Sequence, residues 1–236
     1  IATRHRTTAH PPAPSRTDPQ MARTDSPFLP VSPRDTWIAL RDGNRRFVAG
    51  TPEHPHQDVE HRAALSQGQR PLVAIFGCAD SRLSAEIIFD VGLGDAFVVR
   101  NAGQVVSTDV LGSLEYAVGV PLILVLGHDA CGAVQAAIDS QAADADPLPP
   151  NIQTVVDRIV PAVRRVAGVG ADAPVQPSHV DAGFVGREHL RDTVSEMIER
   201  SELISAAIAE GTLAVVGANY RLMEGRVETD VVVGQL

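Results

Sequence analysis

Long apolar runs are missing from this chain. No stretch approaches the roughly 18 residues needed to span a membrane, so no transmembrane helix is expected. Basic residues are in the minority, 20 Lys and Arg against 29 Asp and Glu, for a formal charge of -9. That balance argues against nucleic acid as the main partner, because phosphate binding needs a basic surface. Aromatic residues make up only 4% while hydrophobic residues reach 44%, so the core must be built from Val, Leu, Ile and Ala. Cysteine is almost absent, with Cys78 and Cys131 the two examples. A lone disulfide is possible, yet nothing else resembles a secreted, disulfide-stapled domain. In a reducing compartment, and a cytoplasmic location is expected, two thiols leave metal binding, catalysis or plain burial. Their neighbours must decide.

At 236 residues the chain fits one α/β domain or two small ones. The first residues carry Arg4, Arg6, Arg16 and Arg23 but no apolar h-region, which argues against a signal peptide. Their many prolines, Pro11 to Pro33 among them, suit a disordered tail over residues 1–33, within which Met21 is a candidate start. One domain is expected over residues 34–236, since neither an internal repeat nor a second domain is visible.

Order is expected from Ser32, an N-cap followed by Pro33 and Asp35. Trp37, Leu40, Asn44, Phe47 and Val48 then recur at helical spacing until Gly50. A short helix follows over Val59 to Gln67. Leu72–Gly77, Ala96–Arg100 and Pro121–Gly127 are apolar runs of the kind found in strands buried on both faces of a parallel sheet. Ser107 can cap a helix with the stripe Val110, Leu111, Leu114, Ala117 and Val118, and Ala130 to Ser140 form another. Ile152–Val166 and Glu188–Ala209 are predicted as helices, Thr212–Gly217 and Arg226–Val233 as strands, and Pro147–Pro150 and Ala171–Ser178 as loops. This alternation predicts an α/β fold: a mainly parallel central β-sheet flanked by helices, with an N-terminal helical arm.

Cys78-Ala79-Asp80-Ser81-Arg82 falls at the carboxyl end of the first strand, and His128-Asp129-Ala130-Cys131 at that of the third. Ligands of open α/β sheets bind in the crevice beyond such strand ends. Two strands can therefore deliver Cys78, His128 and Cys131 to one point. Cys131 is expected in the first turn of its helix, where the dipole favours thiolate. Two thiolates and an imidazole suit zinc, and three protein ligands leave a position open for water. Taken singly, a buried Cys or a strand-end His is most often structural. It is their coincidence at matching strand ends that points to chemistry.

Gly77–Arg82, Phe97–Gly103 and Gly127–Val134 together resemble the signature blocks of β-class carbonic anhydrases, with the similarity running from about Thr36 to near the C-terminus and strongest to actinobacterial members. The resemblance implies one zinc ion per chain on Cys78, His128 and Cys131, with Asp80 and Arg82 as a catalytic dyad. It also implies that Asp80 can act as a fourth ligand in a closed state. Gln69 matches a polar substrate contact supplied by the neighbouring subunit, Phe97 and Tyr116 match aromatic pocket walls, and Gly132 matches a backbone amide facing bicarbonate. A homodimer or tetramer follows from that shared pocket. Family members usually carry about four more residues before the strand leading to His128, close to one helical turn of 3.6. The direct link Val118-Gly119-Val120-Pro121 therefore changes packing near Tyr116.

The implied reaction is the reversible hydration of carbon dioxide to bicarbonate and a proton by hydroxide generated at zinc. A hydrolase of a carbon dioxide analogue such as carbon disulfide, or a silent zinc-binding regulatory protein, would keep the same fold. Retention of both Asp80 and Arg82 speaks against a silent site. No proton shuttle is identifiable among His54, His56, His61, His179 and His189.

Overall fold

The computed structural model describes residues 32–170 and 173–236. Of the tail expected over residues 1–33, all but Ser32 and Pro33 lies outside the described residues, as do Ala171 and Asp172 of an expected loop.

The N-terminal segment forms α1 (Pro33–Ala49) and α2 (Val59–Leu65). Ser32 caps α1 as its composition demands, its hydroxyl accepting from the Asp35 amide at 3.1 Å, and Gly50 ends it in the left-handed region at φ 69°. The alternating part follows as β1 (Val73–Cys78), α3 (Ala85–Ile88), β2 (Ala96–Asn101), α4 (Thr108–Tyr116), β3 (Leu122–His128) and α5 (Gly132–Asp139). Then come α6 (Pro150–Asp157), α7 (Val160–Ala167), α8 (Ala182–Arg200), α9 (Glu202–Ala209), β4 (Ala214–Arg221) and β5 (Arg226–Val233).

The sheet runs in the order β2-β1-β3-β4-β5, with the first four strands parallel and β5 antiparallel to β4. From β1 the chain steps to one side for β2, then returns to the other side for β3. The order thus reverses between β1 and β3, and their carboxyl ends open a crevice there. Both central strands are buried along their whole length, which is why they read as unbroken apolar runs. Alternate side chains divide between two cores. Val73 and Ile75 pack with Trp37, Leu40, Val134, Ile138 and Val163 on one face. Ala74 and Phe76 pack with Leu111, Leu114, Leu190 and Met197 on the other.

Two helices expected to be continuous are broken. The segment Ile152–Val166 divides into α6 and α7 because Pro161 has no N–H to donate to the Asp157 carbonyl and its ring crowds that turn. Arg158 and Ile159 fall back on the carbonyls three residues earlier, at 3.2 and 2.8 Å. The segment Glu188–Ala209 divides at Ser201, whose backbone is extended at φ -122° and ψ 107°. Its hydroxyl accepts from the Ile204 amide at 3.3 Å and donates to Glu115 Oε1 at 2.7 Å, capping α9 and tying it to α4. Ser201→Ala should therefore lower stability by about 1–2 kcal/mol, read as a lower urea midpoint with unchanged slope.

Candidate metal centre

Cys78 is the last residue of β1 and His128 the last of β3; Cys131 follows three positions later. The parallel register sets Gly77 beside Leu126, so Cys78 and His128 reach the same edge of the sheet. The ligand atoms of Cys78, His128 and Cys131 all lie within 4.8 Å of one another, and all three residues are buried. Among the described residues no other group of His, Cys, Asp or Glu converges in this way. Closing the turn from His128 to Cys131 puts Ala130 in the left-handed region at φ 49°, a strained position for a residue with a Cβ.

Cys131 is the N-cap of α5 rather than a residue of its first turn, and its side chain makes no capping hydrogen bond. Nor does the helix dipole decide its ionisation. Its Sγ is 4.0 Å from that of Cys78, and an ionised neighbour at that range outweighs the half-charge of a helix end. The shared proton and then burial push the Cys131 thiol up, against the amides of Val134 and Ala133. Cys78 is held well below the ordinary thiol range. Cys131 contributes most, burial opposes it, and His128 with the amides of Asp80 and Gly103 completes the effect.

The His128 ring is fixed by its own turn. Nδ1–H donates to the Asp129 carbonyl at 2.8 Å, which leaves Nε2 unprotonated, buried and without a partner. Asp129 is anchored in turn, its carboxylate accepting from the Leu222 amide at 2.9 Å. An orphaned imidazole nitrogen facing two sulfurs is satisfied by a soft or borderline divalent cation. The residues thus fit a metal ion, and three protein donors leave a further position open.

Asp80 lies just beyond Cys78, and Arg82 grips it bidentately, Nε to Oδ1 at 2.9 Å and Nη2 to Oδ2 at 2.7 Å. The Arg82 amide also donates to Oδ1 at 2.9 Å. The Arg82 side chain foremost, opposed by burial, holds the Asp80 carboxyl far below the usual carboxylate range. The same Nη2 is 3.2 Å from the Ala130 carbonyl, so Arg82 ties the turn after β1 to the turn after β3. In this arrangement the carboxylate belongs to Arg82 and is not among the three converging ligands.

Gly132 opens α5, and a Cβ built there would meet nothing within 4 Å. Gln69, Phe97 and Tyr116 come together elsewhere, lining a cleft of about 390 Å³ with Arg70, Pro71 and Val120. The two aromatic rings lie 6.3 Å apart at 39°, and Tyr116 is 80% exposed. Phe97 pairs with Ala74, four residues before Cys78, so this cleft is about 13 Å up the sheet at a rise of ~3.3 Å per residue. Within one chain the cleft and the metal group occupy opposite ends of the strands. His56 and His61 stack 4.5 Å apart beside Asp95 and Leu93, also at the amino end, whereas His189 is buried in the interior.

Sequence alone assigns Arg100 no part in the site. Its Nε donates to the Cys78 carbonyl at 2.9 Å and its Nη2 to the Asp80 carbonyl at 2.6 Å, shaping the turn that carries both. Its position beside Asn101, the partner of Cys78 in the register, is the signal that locates it.

The fold and this group define an α/β protein with an open thiolate and imidazole metal site at its topological switch point. The carbonic anhydrase family model matches residues 73–227. Carbonic anhydrase 2 of Mycobacterium tuberculosis is 51% identical over 200 residues, covering 83% of this chain and 92% of that protein. The carbonic anhydrase of Mycolicibacterium smegmatis is 48% identical over 203 residues, covering 84% and 93%. Among solved structures, the Coccomyxa β-carbonic anhydrase in complex with acetazolamide superposes with a TM-score of 0.60 at 27% identity, over 80% of this chain and 83% of that one. A tetrameric β-carbonic anhydrase from Sordaria macrospora shares the fold, with a TM-score of 0.63 at 21% identity over 85% of this chain and 100% of that one. The chain belongs to the carbonic anhydrase family and, within it, to the β class of these enzymes.

Proposed function

We propose that this protein catalyses the zinc-dependent, reversible hydration of carbon dioxide to bicarbonate and a proton, with one zinc ion per chain. The observation that carries the reading is the open Cys78–His128–Cys131 group beside the bidentate Asp80–Arg82 pair. A zinc ion held by these three residues supplies a Lewis acid that lowers the pKa of water from 15.7 to about 7. The chain's own groups do the rest. Asp80, kept ionised by Arg82, can only accept a hydrogen bond, so it turns a proton of the nucleophilic water towards itself and a lone pair towards carbon. Arg82 fixes the direction in which Asp80 accepts. The open amide of Gly132 at the start of α5 can donate to the anionic product. Stopped-flow hydration of carbon dioxide by protein of measured zinc content tests the reading. Zinc-replete protein without hydration activity would overturn it, and activity only on carbon disulfide would redirect it to an analogue.

Gln69, Phe97 and Tyr116 serve this site from a second copy. They form an exposed apolar cleft with a polar rim, remote from the metal group of their own chain. Seating the carboxyl end of a partner's sheet against that cleft would give carbon dioxide an apolar entry and Gln69 a substrate oxygen to polarise. The active species is therefore a homodimer or a tetramer. Light scattering across a dilution series should show activity vanishing with the oligomer, and a fully active monomer would refute the shared pocket. Two free buried thiols among the described residues suit the reducing cytoplasm, and no helix there is long and apolar enough to cross a membrane.

A further inference from the structure

His189 is out of place by composition. It lies on α8 with Val185, Leu190, Val194 and Met197, all fully or nearly fully buried, and is itself 3% exposed. Its Nε2 is 2.7 Å from the Gly103 carbonyl, 86 positions earlier in the chain. A carbonyl only accepts, so Nε2 carries the hydrogen, and Nδ1 is left buried without a partner. Burial drives the imidazole towards its neutral form. An orphaned nitrogen in an apolar core costs stability, and a leucine would fill the same space without it. Packing alone does not account for a histidine here.

The group it holds accounts for it. Gly103 and Gln104 are consecutive left-handed residues, at φ 71° and 41°, in the turn after β2. A Cβ on Gly103 would come within 2.9 Å of Ala133 and 3.0 Å of Ile159, so only glycine fits. Gln104 has no such exemption, and its conformation is unfavourable on its own. One turn along α8 from His189, the Thr193 hydroxyl lies 3.3 Å from the Gln104 carbonyl and 2.8 Å from that of His189. The hydroxyl has one hydrogen to share between them, so α8 holds the Gly103 carbonyl through His189 and can reach that of Gln104 through Thr193. The other side of Gly103 faces the metal group, with its N–H donating to Cys78 Sγ at 3.3 Å.

We infer that His189 is a positioning residue for the metal ligand Cys78, acting through Gly103, with Thr193 in support. The inference rests on the metal-binding reading of Cys78. By holding the Gly103 carbonyl, His189 keeps the opposite edge of that residue pointed at the sulfur. The N–H withdraws electron density from the thiolate, which sets how strongly Cys78 donates to a metal.

The test uses the full-length protein loaded with cobalt(II), whose thiolate charge-transfer band reports the electron density on sulfur, alongside release of zinc to a chelator. His189→Leu should move the band to longer wavelength, because the sulfur keeps more electron density, and should weaken zinc retention by about 10–100-fold, because Cys78 is no longer held in place for the metal. His189→Gln, which restores an N–H donor at the Nε2 position, should return both readings close to the parent values. Thr193→Val should move the band in the same direction by less, and it carries the test if His189→Leu does not fold. Unchanged band and zinc retention in His189→Leu with only a lower Tm would overturn the inference, as would failure of His189→Gln to restore either reading. A parent protein that shows no thiolate band on cobalt loading would remove the metal reading of Cys78 itself, an outcome separate from a normal band that the variants leave unmoved.

Discussion

Cys78→Ser and His128→Ala should each reduce zinc from about one ion per chain to near none, with carbon dioxide hydration lost in proportion. Loss of an outer hydrogen-bond partner costs about 10–100-fold in metal affinity, and loss of a ligand must exceed that. The reason is geometric. The three donors are buried and within 4.8 Å of one another, and no other cluster among the described residues can take over. Serine at position 78 would place a poorly acidic hydroxyl where the structure favours a thiolate, and its shorter bond would pull oxygen away from the shared point. Alanine at 128 removes the one imidazole of the Cys78–His128–Cys131 group. Elemental analysis paired with stopped-flow rates on the same samples checks this, and a zinc-free variant with full activity would refute it. Each variant should also be less stable than the zinc-loaded parent, because metal binding adds to folding free energy.

Asp80→Asn should lower hydration activity by about 10²–10³-fold while zinc stays bound, the range for loss of one preorganised hydrogen-bonding group. An amide presents an NH2 group as well as a carbonyl, so it can no longer enforce a single direction of hydrogen bonding on the water. Arg82→Ala should lower activity for a different reason: Asp80 remains but loses its bidentate grip and the link to the Ala130 carbonyl. Arg82→Lys should not restore it, because an ammonium cannot make the planar two-point contact. Arg82 keeps Asp80 ionised well below neutrality, so the Asp80→Asn loss should be of similar size at pH 6 and pH 9. A loss confined to the higher pH would mean that Asp80 leaves Arg82 as pH falls. That is the behaviour expected if the carboxylate transfers to the metal in a closed state. Zinc content measured beside the rates separates a catalytic loss from a metal loss.

The sequence by itself determined which segments are strands and where the chemistry-bearing turns begin. Continuous apolar runs such as Leu72–Gly77 and Pro121–Gly127 have no helical period and can only be buried on both faces, as the strands Val73–Cys78 and Leu122–His128 are. Ser32, Ser107 and Gly50 mark helix ends because caps depend on groups three residues away. These are short-range properties, and a linear reading captures them. Proline and serine inside the later helices were equally visible, but whether they break a helix depends on what the freed groups meet. Ser201 breaks one because Glu115, 86 positions away, accepts from its hydroxyl.

Only the tertiary structure decided how the site is wired. Cys131 is a cap rather than a first-turn residue, and it lies 4.0 Å from Cys78 across the site. Arg100 reaches the turn after β1, and His189 reaches Gly103, because parallel registry and the packing of α8 bring them there. Gln69, Phe97 and Tyr116 converge with each other and not with the metal group of the same chain. Such meetings depend on strand order and register, which are set by the sheet as a whole. No periodicity within one segment encodes them.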